Sequence, residues 1–104
     1  MNTGGYEVIQ RTVLLKFDPS TTEAQLEEVI ARFKALKDVL TGIAEIHAGR
    51  NVAERSKEYQ VVLMVRFEDR AALEAYAANE QHQAVAAFIR DSGRLDSIGV
   101  DIEI

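Results

Sequence analysis

The 104-residue chain has no cysteine, no tryptophan, one proline and two histidines. Without cysteine it has no disulfide, no thiolate-held metal and no iron-sulfur cluster, and it suits a reducing compartment. No stretch approaches the ~18 consecutive apolar residues of a membrane span. The opening MNTGGYEVIQRT also lacks the basic start and apolar run of a secretory signal. A cytoplasmic location and no membrane partner are therefore expected. Positive charge is short as well: 12 Lys and Arg stand against 17 Asp and Glu, a formal net charge of -5. That balance argues against nucleic acid as a partner, because such binding runs on counterion release by basic side chains. Missing too are a Gly-rich phosphate loop, an HExxH pair, a nucleophile elbow and any heptad or internal repeat. No metal and no cofactor is expected.

What is present reads as one domain. Residues 1–7 carry too few apolar groups to offset their ordering entropy and read as a flexible leader, with residues 8–104 forming the domain. Residues 8–17 are a strand, with Arg11, Val13, Leu15 and Phe17 on one face and Thr12, Leu14 and Lys16 on the other. Asp18-Pro19-Ser20 stops it. Thr22 and Gln25 have capping-box spacing ahead of a helical stripe, Leu26, Val29, Ile30, Phe33, Leu36 and Leu40, which Gly42 ends. Residues 43–49 form a short strand with Ile43, Glu45 and His47 on one face, where His47 reads as part of a wet edge. The polar residues 50–58 predict a mobile surface loop. Residues 59–67 are the strongest strand and are expected at the sheet centre, with Val61, Leu63, Val65 and Phe67 opposite Val62, Met64 and Arg66. Asp69 caps the next helical stretch, and residues 95–104 are a last strand. Its apolar side is Ile98, Val100, Ile102 and Ile104, and its small, polar side is Ser97, Gly99, Asp101 and Glu103.

Residues 73–89 cannot be one straight helix. Leu73, Tyr76 and Ala77 make one apolar stripe, and His82, Val85, Ala86 and Ile89 make another. On a continuous helix Ala77 and His82 would point about 140° apart. A break at Asn79-Glu80 lets both stripes face one core, which brings Tyr76 and His82 together. The element order, strand, helix, strand, strand, helix pair, strand, predicts a ferredoxin-like βαββαβ α+β fold with a split second helix and a four-stranded antiparallel sheet. Helices cover one sheet face. The other would expose Leu14, Val62, Met64, Ile98, Val100 and Ile102, too much apolar surface for water.

RTVLLKF at 11–17, AGRN at 48–51, EYQVVLMVRFED at 58–69, AYAANEQH at 75–82 and the Val100-Asp101 pair, in this order and spacing, resemble the stress-responsive dimeric alpha-beta barrel (Dabb) family. That family usually carries histidine at the place of Arg11 and His-Pro at the place of Asn79-Glu80. The resemblance implies a homodimer whose two sheets face each other as a dimeric α/β barrel. It also implies Tyr76 and His82 as catalytic residues, matching a tyrosine and a histidine that a polyketide cyclase of this family uses, with Asp101 at an acidic position that orients the histidine. A histidine beside a carboxylate can take a proton α to a carbonyl near neutral pH, and a tyrosine can donate to the enolate oxygen. Arg11, Val13, Leu15, Val61, Leu63, Ser97 and Gly99 are the candidate substrate-binding residues. Arg11 cannot act as a base and suits an anionic group instead. Three functions are open: a cofactor-independent lyase or cyclase acting on a small carbonyl or polyketide-like compound, a small-ligand-binding or stress-associated barrel without chemistry, and a cofactor-free monooxygenase of the related barrel type. The missing tryptophan weakens the last.

Overall fold

The computed structural model describes residues 8–104, so the leader expected at residues 1–7 lies outside the described residues. The elements are β1 (Ile9–Phe17), α1 (Glu23–Ala35), β2 (Ile43–Arg50), β3 (Val61–Phe67), α2 (Arg70–Ala78), α3 (Glu80–Asp91) and β4 (Arg94–Glu103). Their order is the ferredoxin-like βαββαβ with a split second helix. The four strands form one antiparallel sheet in the order β2-β3-β1-β4, which puts β3 and β1 at its centre. Ile9, Leu15 and Phe17 of β1 and Val61, Leu63, Val65 and Phe67 of β3 point to the helices and are buried. Leu26, Val29, Ile30 and Phe33 of α1 join these strand residues, Ile9 apart, in one apolar core. Each such side chain is worth roughly 1.5–3 kcal/mol of burial.

Local chemistry sets the ends. The Thr22 hydroxyl accepts from the backbone N–H of Gln25, whose side-chain oxygen accepts from the N–H of Thr22, so the capping box closes both ways. The helix does not run on to Gly42: after Ala35 it tightens into a 3-10 turn at Leu36–Asp38 that keeps Leu36 buried. At the far end of β1, beyond the last rung to β3, the Gln60 side chain takes over the ladder. Its oxygen accepts from the Phe17 N–H at 2.9 Å and its amide donates to the Phe17 carbonyl.

Two expectations are corrected. Strict alternation put Ile43 on one face with Glu45 and His47, but the register between β2 and β3 shifts between Ile43 and Glu45. This irregularity inserts one residue, so Ile43 and Ile46 both join the core while Glu45 and His47 lie on the open face. The stretch expected as a mobile loop is folded around Asn51. Its Nδ2 donates to the carbonyls of Ser56 and Tyr59, and its Oδ1 accepts from the Ala53 N–H, across a 3-10 turn at Glu54–Ser56. None of the described helices is long and apolar enough to cross a membrane.

The open face is half apolar. Ile98, Val100 and Ile102 of β4 are 43%, 56% and 56% exposed. Toward β2 the face turns polar, where Arg66 donates to Glu45 and Gln10 and His47 lies 3.0 Å from Glu45.

Gly42 ties α2 to the α1–β2 turn. Its φ is 81°, and a Cβ there would come within 2.6 Å of the Ala72 Cβ. Gly42→Ala is expected to destabilise the fold by more than about 1 kcal/mol through backbone strain and this clash. The measurement is the urea midpoint, which a tolerated substitution would leave unchanged.

Candidate active site

The site begins at the helix break. Asn79 adopts φ -70° and ψ 133°, which ends α2, and its Oδ1 accepts from the N–H groups of Gln81 and His82 at 2.8 and 3.2 Å, which starts α3. One extended residue rotates the second stripe back toward the sheet. The Tyr76 and His82 rings consequently lie with centroids 4.0 Å apart, and Tyr76 is set edge-on against Phe67 at 5.0 Å.

Both rings line a cleft of about 150 Å³ between the helices and the β1/β4 side of the sheet. Its floor is Arg11, Val13 and Leu15 of β1 with Leu63 and Val65 of β3. Its walls are Val85, Ala86 and Ile89 of α3 with Phe33 of α1, and Arg94 and Ser97 stand on β4. Among the described residues its lining is apolar apart from Tyr76, His82, Ser97 and two arginines, and includes no carboxylate.

Electrostatics divide the roles. Burial pushes the Tyr76 hydroxyl up to about 12, against the opposing pull of the Arg11 charge, so it stays a proton donor at neutral pH. Burial also lowers His82, and the Arg11 cation lowers it further, against the opposing influence of the nearby carbonyls of Ala77 and Tyr76. His82 is thus a neutral imidazole near pH 7. Its Nδ1 is sealed from solvent and has no partner in hydrogen-bond geometry among the described residues.

Asp101 does not orient His82. It stands directly across from Arg11 in the β1–β4 register, and the two make a two-point pair, Nε to Oδ1 at 2.8 Å and Nη2 to Oδ2 at 3.0 Å. The hydrogen bonds from Arg11 hold the Asp101 carboxyl below its usual range, and the bond to Asp101 raises Arg11. A carboxylate drawn to a guanidinium on the neighbouring strand is not available to an imidazole on α3.

The family model for the stress responsive A/B barrel domain (Dabb) matches residues 9–104. The chain belongs to this family. Olivetolic acid cyclase of Cannabis sativa is 26% identical over 76 residues, which are 71% of this chain and 75% of the cyclase. A dimeric ferredoxin-like protein from Jannaschia sp. CCS1 superposes with a TM-score of 0.79 at 26% identity, covering 93% of this chain and 99% of that one. Hydroxynitrile lyase from Passiflora edulis superposes with a TM-score of 0.83 at 13% identity, covering 95% and 94%, a likeness of fold alone.

Within this Dabb fold, Arg11, Val13, Leu15, Leu63, Ser97, Tyr76 and His82 come together around the cleft, whereas Val61, Gly99 and Asp101 do not line it. Val61 is fully buried in the core, one rung too far along β3. At Gly99 the nearest side-chain atom a Cβ would meet is Val13 Cγ2 at 3.8 Å, so this glycine borders the floor residue without forming it. Alternation on the sheet identifies a face, and it does not say how far along that face a cavity extends. The sequence reading missed Arg94 as a site residue. Its signal was its place directly after the Ser92-Gly93 helix stop, at the first position of the strand.

The charges around His82 make a test with opposite signs. In a proton-NMR titration the His82 ring should titrate below its ordinary 6.5. Arg11→Met, which removes a cation, should move that midpoint up. Asp101→Asn, which leaves the Arg11 charge uncountered, should move it further down. Stability follows the same linkage: the folded state binds this proton less readily than the unfolded chain, so the His82 contribution is complete above 6.5 and declines as pH falls from there. A midpoint indifferent to both substitutions would place Arg11 too far from His82 to matter.

Proposed function

We propose that the protein is a cofactor-independent lyase or cyclase that acts on a small carbonyl compound, with His82 as base and Tyr76 as hydrogen-bond donor. The observation that carries this reading is the stacked Tyr76–His82 pair, 4.0 Å between rings, on the wall of an otherwise apolar cleft. The neutral imidazole takes a proton from the carbon next to the carbonyl. Negative charge then grows on the carbonyl oxygen, where the Tyr76 hydroxyl and the Arg11 guanidinium donate to it. The enolate carbon then attacks a second carbonyl, closing a ring, and the alkoxide so formed takes the proton from His82. In the lyase form His82 instead takes a hydroxyl proton, the carbonyl forms as the neighbouring carbon-carbon bond breaks, and the departing carbanion, cyanide for a cyanohydrin, takes that proton. The similarity to olivetolic acid cyclase supports the first outcome.

Turnover of β-polycarbonyl compounds and cyanohydrins, followed by absorbance, tests the reading. His82→Ala should lower kcat/KM by about 10² or more. Tyr76→Phe should lower kcat by a similar factor with KM little changed, since the donor acts on charge that develops only in the transition state. A ligand that binds in the cleft without turnover by the wild-type protein would instead identify a binding barrel.

We further infer that two copies pair through the open sheet face bearing Leu14, Val62, Met64, Ile98, Val100 and Ile102. The exposure of the β4 residues and the dimeric relative from Jannaschia sp. CCS1 support this. A dimer is expected in sedimentation at micromolar concentration, and Val62→Asp with Met64→Lys should shift it to monomers or aggregates. A wild-type monomer would refute the pairing.

A further inference from the structure

We propose that the cleft selects a substrate carrying a carboxylate, and that Arg94 is the residue that docks it. This rests on the reading of the cleft as a small-molecule site and names the chemical class that it takes.

Among the described residues, two cations and no carboxylate line the cleft of a chain whose formal net charge is -5. The two arginines are not equivalent. Arg11 is matched by Asp101 through Nε and Nη2, which fixes its plane and offsets its charge. Arg94 has no ion pair among the described residues, and the two acidic residues nearest in sequence are engaged elsewhere. Asp91 lies 3.6 Å from Arg90, and Asp96 accepts from the Tyr59 hydroxyl at 2.7 Å.

The backbone that carries Arg94 is held in place. Gly93 has φ 110°, its carbonyl accepts from the Asp18 N–H at 2.8 Å, and the Thr21 hydroxyl donates to the Ser92 carbonyl at 2.6 Å. A Cβ on Gly93 would collide with the Thr21 Oγ1. The β1–β4 register then shifts between Lys16 and Phe17, so Arg94 stands across from Phe17 while Asp101 stands across from Arg11. Arg11 and Arg94 thus root at opposite ends of β1, six residues and roughly 20 Å apart at the backbone. Both side chains reach the same cleft. Tyr76 lies edge-on against Phe67, which stands across from Ile9 at the start of β1, and His82 packs on Tyr76, so both rings lie at the Arg11 end. The geometry therefore suits an elongated molecule with its reacting carbonyl at Tyr76 and His82 and its anionic group at Arg94. The planar guanidinium fits a carboxylate through two parallel hydrogen bonds.

Benzoate and benzamide, nearly equal in shape and different in charge, are the probes, titrated into the full chain and followed by amide NMR shifts. Benzoate should bind about tenfold or more tightly than benzamide, as expected of one charge-assisted contact. Arg94→Gln should bring benzoate down to the benzamide level, and Arg94→Lys should keep part of the preference. Arg94 is exposed and contributes nothing to the core, so both variants should fold as the wild type does. His82→Ala should keep the preference, which separates this proposal from the catalytic one: a chain with no turnover at all can still satisfy it. Equal or no binding of the two probes by wild type, or an undiminished preference in Arg94→Gln, would overturn it.

Discussion

One side-chain oxygen, Oδ1 of Asn79, organises the site. A helix end leaves its first N–H groups without partners, and a break in the middle of a helical run would strand them beside the core. Asn79 accepts two of those groups while its own backbone turns extended, so the break carries little penalty. A His-Pro pair at this place would reach the same end by other chemistry, since a proline at the first helical position has no N–H to satisfy. Here that position is Glu80, whose charge suits the positive end of α3. Either way, the break is what allows a tyrosine and a histidine six residues apart to stack.

The second constraint is the mismatch between three helices and four strands. The buried faces of β1 and β3 lie under α1, α2 and α3, but every residue of β4 is exposed. The strand that completes the sheet also leaves one long side of the helical layer unfilled. The small Ser97 keeps that margin low where it lines the cleft between β1 and α3. The same uncovered strand presents Ile98, Val100 and Ile102 on its other face. Cleft and apolar margin are two consequences of one packing shortfall.

The sequence made the architecture legible wherever periodicity and caps agree. The phase shift between Ala77 and His82 required a break, which the weak helix propensity of Asn placed at Asn79-Glu80, and Thr22 with Gln25 located the start of α1. It was less informative where tertiary contacts decide. The irregularity at the start of β2 has no signature in Ile43-Ala44-Glu45 and is set by what β3 offers as a partner. The partner of Asp101 could not be read either, because pairing depends on register, and only the β1–β4 register places Arg11 beside it. The family resemblance suggested histidine as the recipient of that carboxylate. Arginine at position 11 redirects it.

That redirection limits the chemistry open to the cleft. A site with two titrating bases can remove a proton on one side and return it on the other. Here Tyr76 is raised to about 12 and Arg11 is raised above its already high range, so neither gives up a proton near neutral pH. His82, lowered by burial and by Arg11, is the group in the cleft with a lone pair ready at pH 7. In the proposed reaction the proton that His82 removes has to leave from the same imidazole, to the product or to water. Such a site suits reactions that take one proton and hand one back without a change of oxidation state: cyclisation by carbonyl addition takes it from carbon, and cleavage of a carbon-carbon bond next to a hydroxyl takes it from oxygen. It suits poorly any reaction that needs a strong acid before His82 has taken up a proton, because the other donors are a phenol and a guanidinium and both are weak acids. A group that leaves before then must already be stable as an anion, and the charge that grows on a carbonyl oxygen is stabilised by hydrogen bonds from Tyr76 and Arg11.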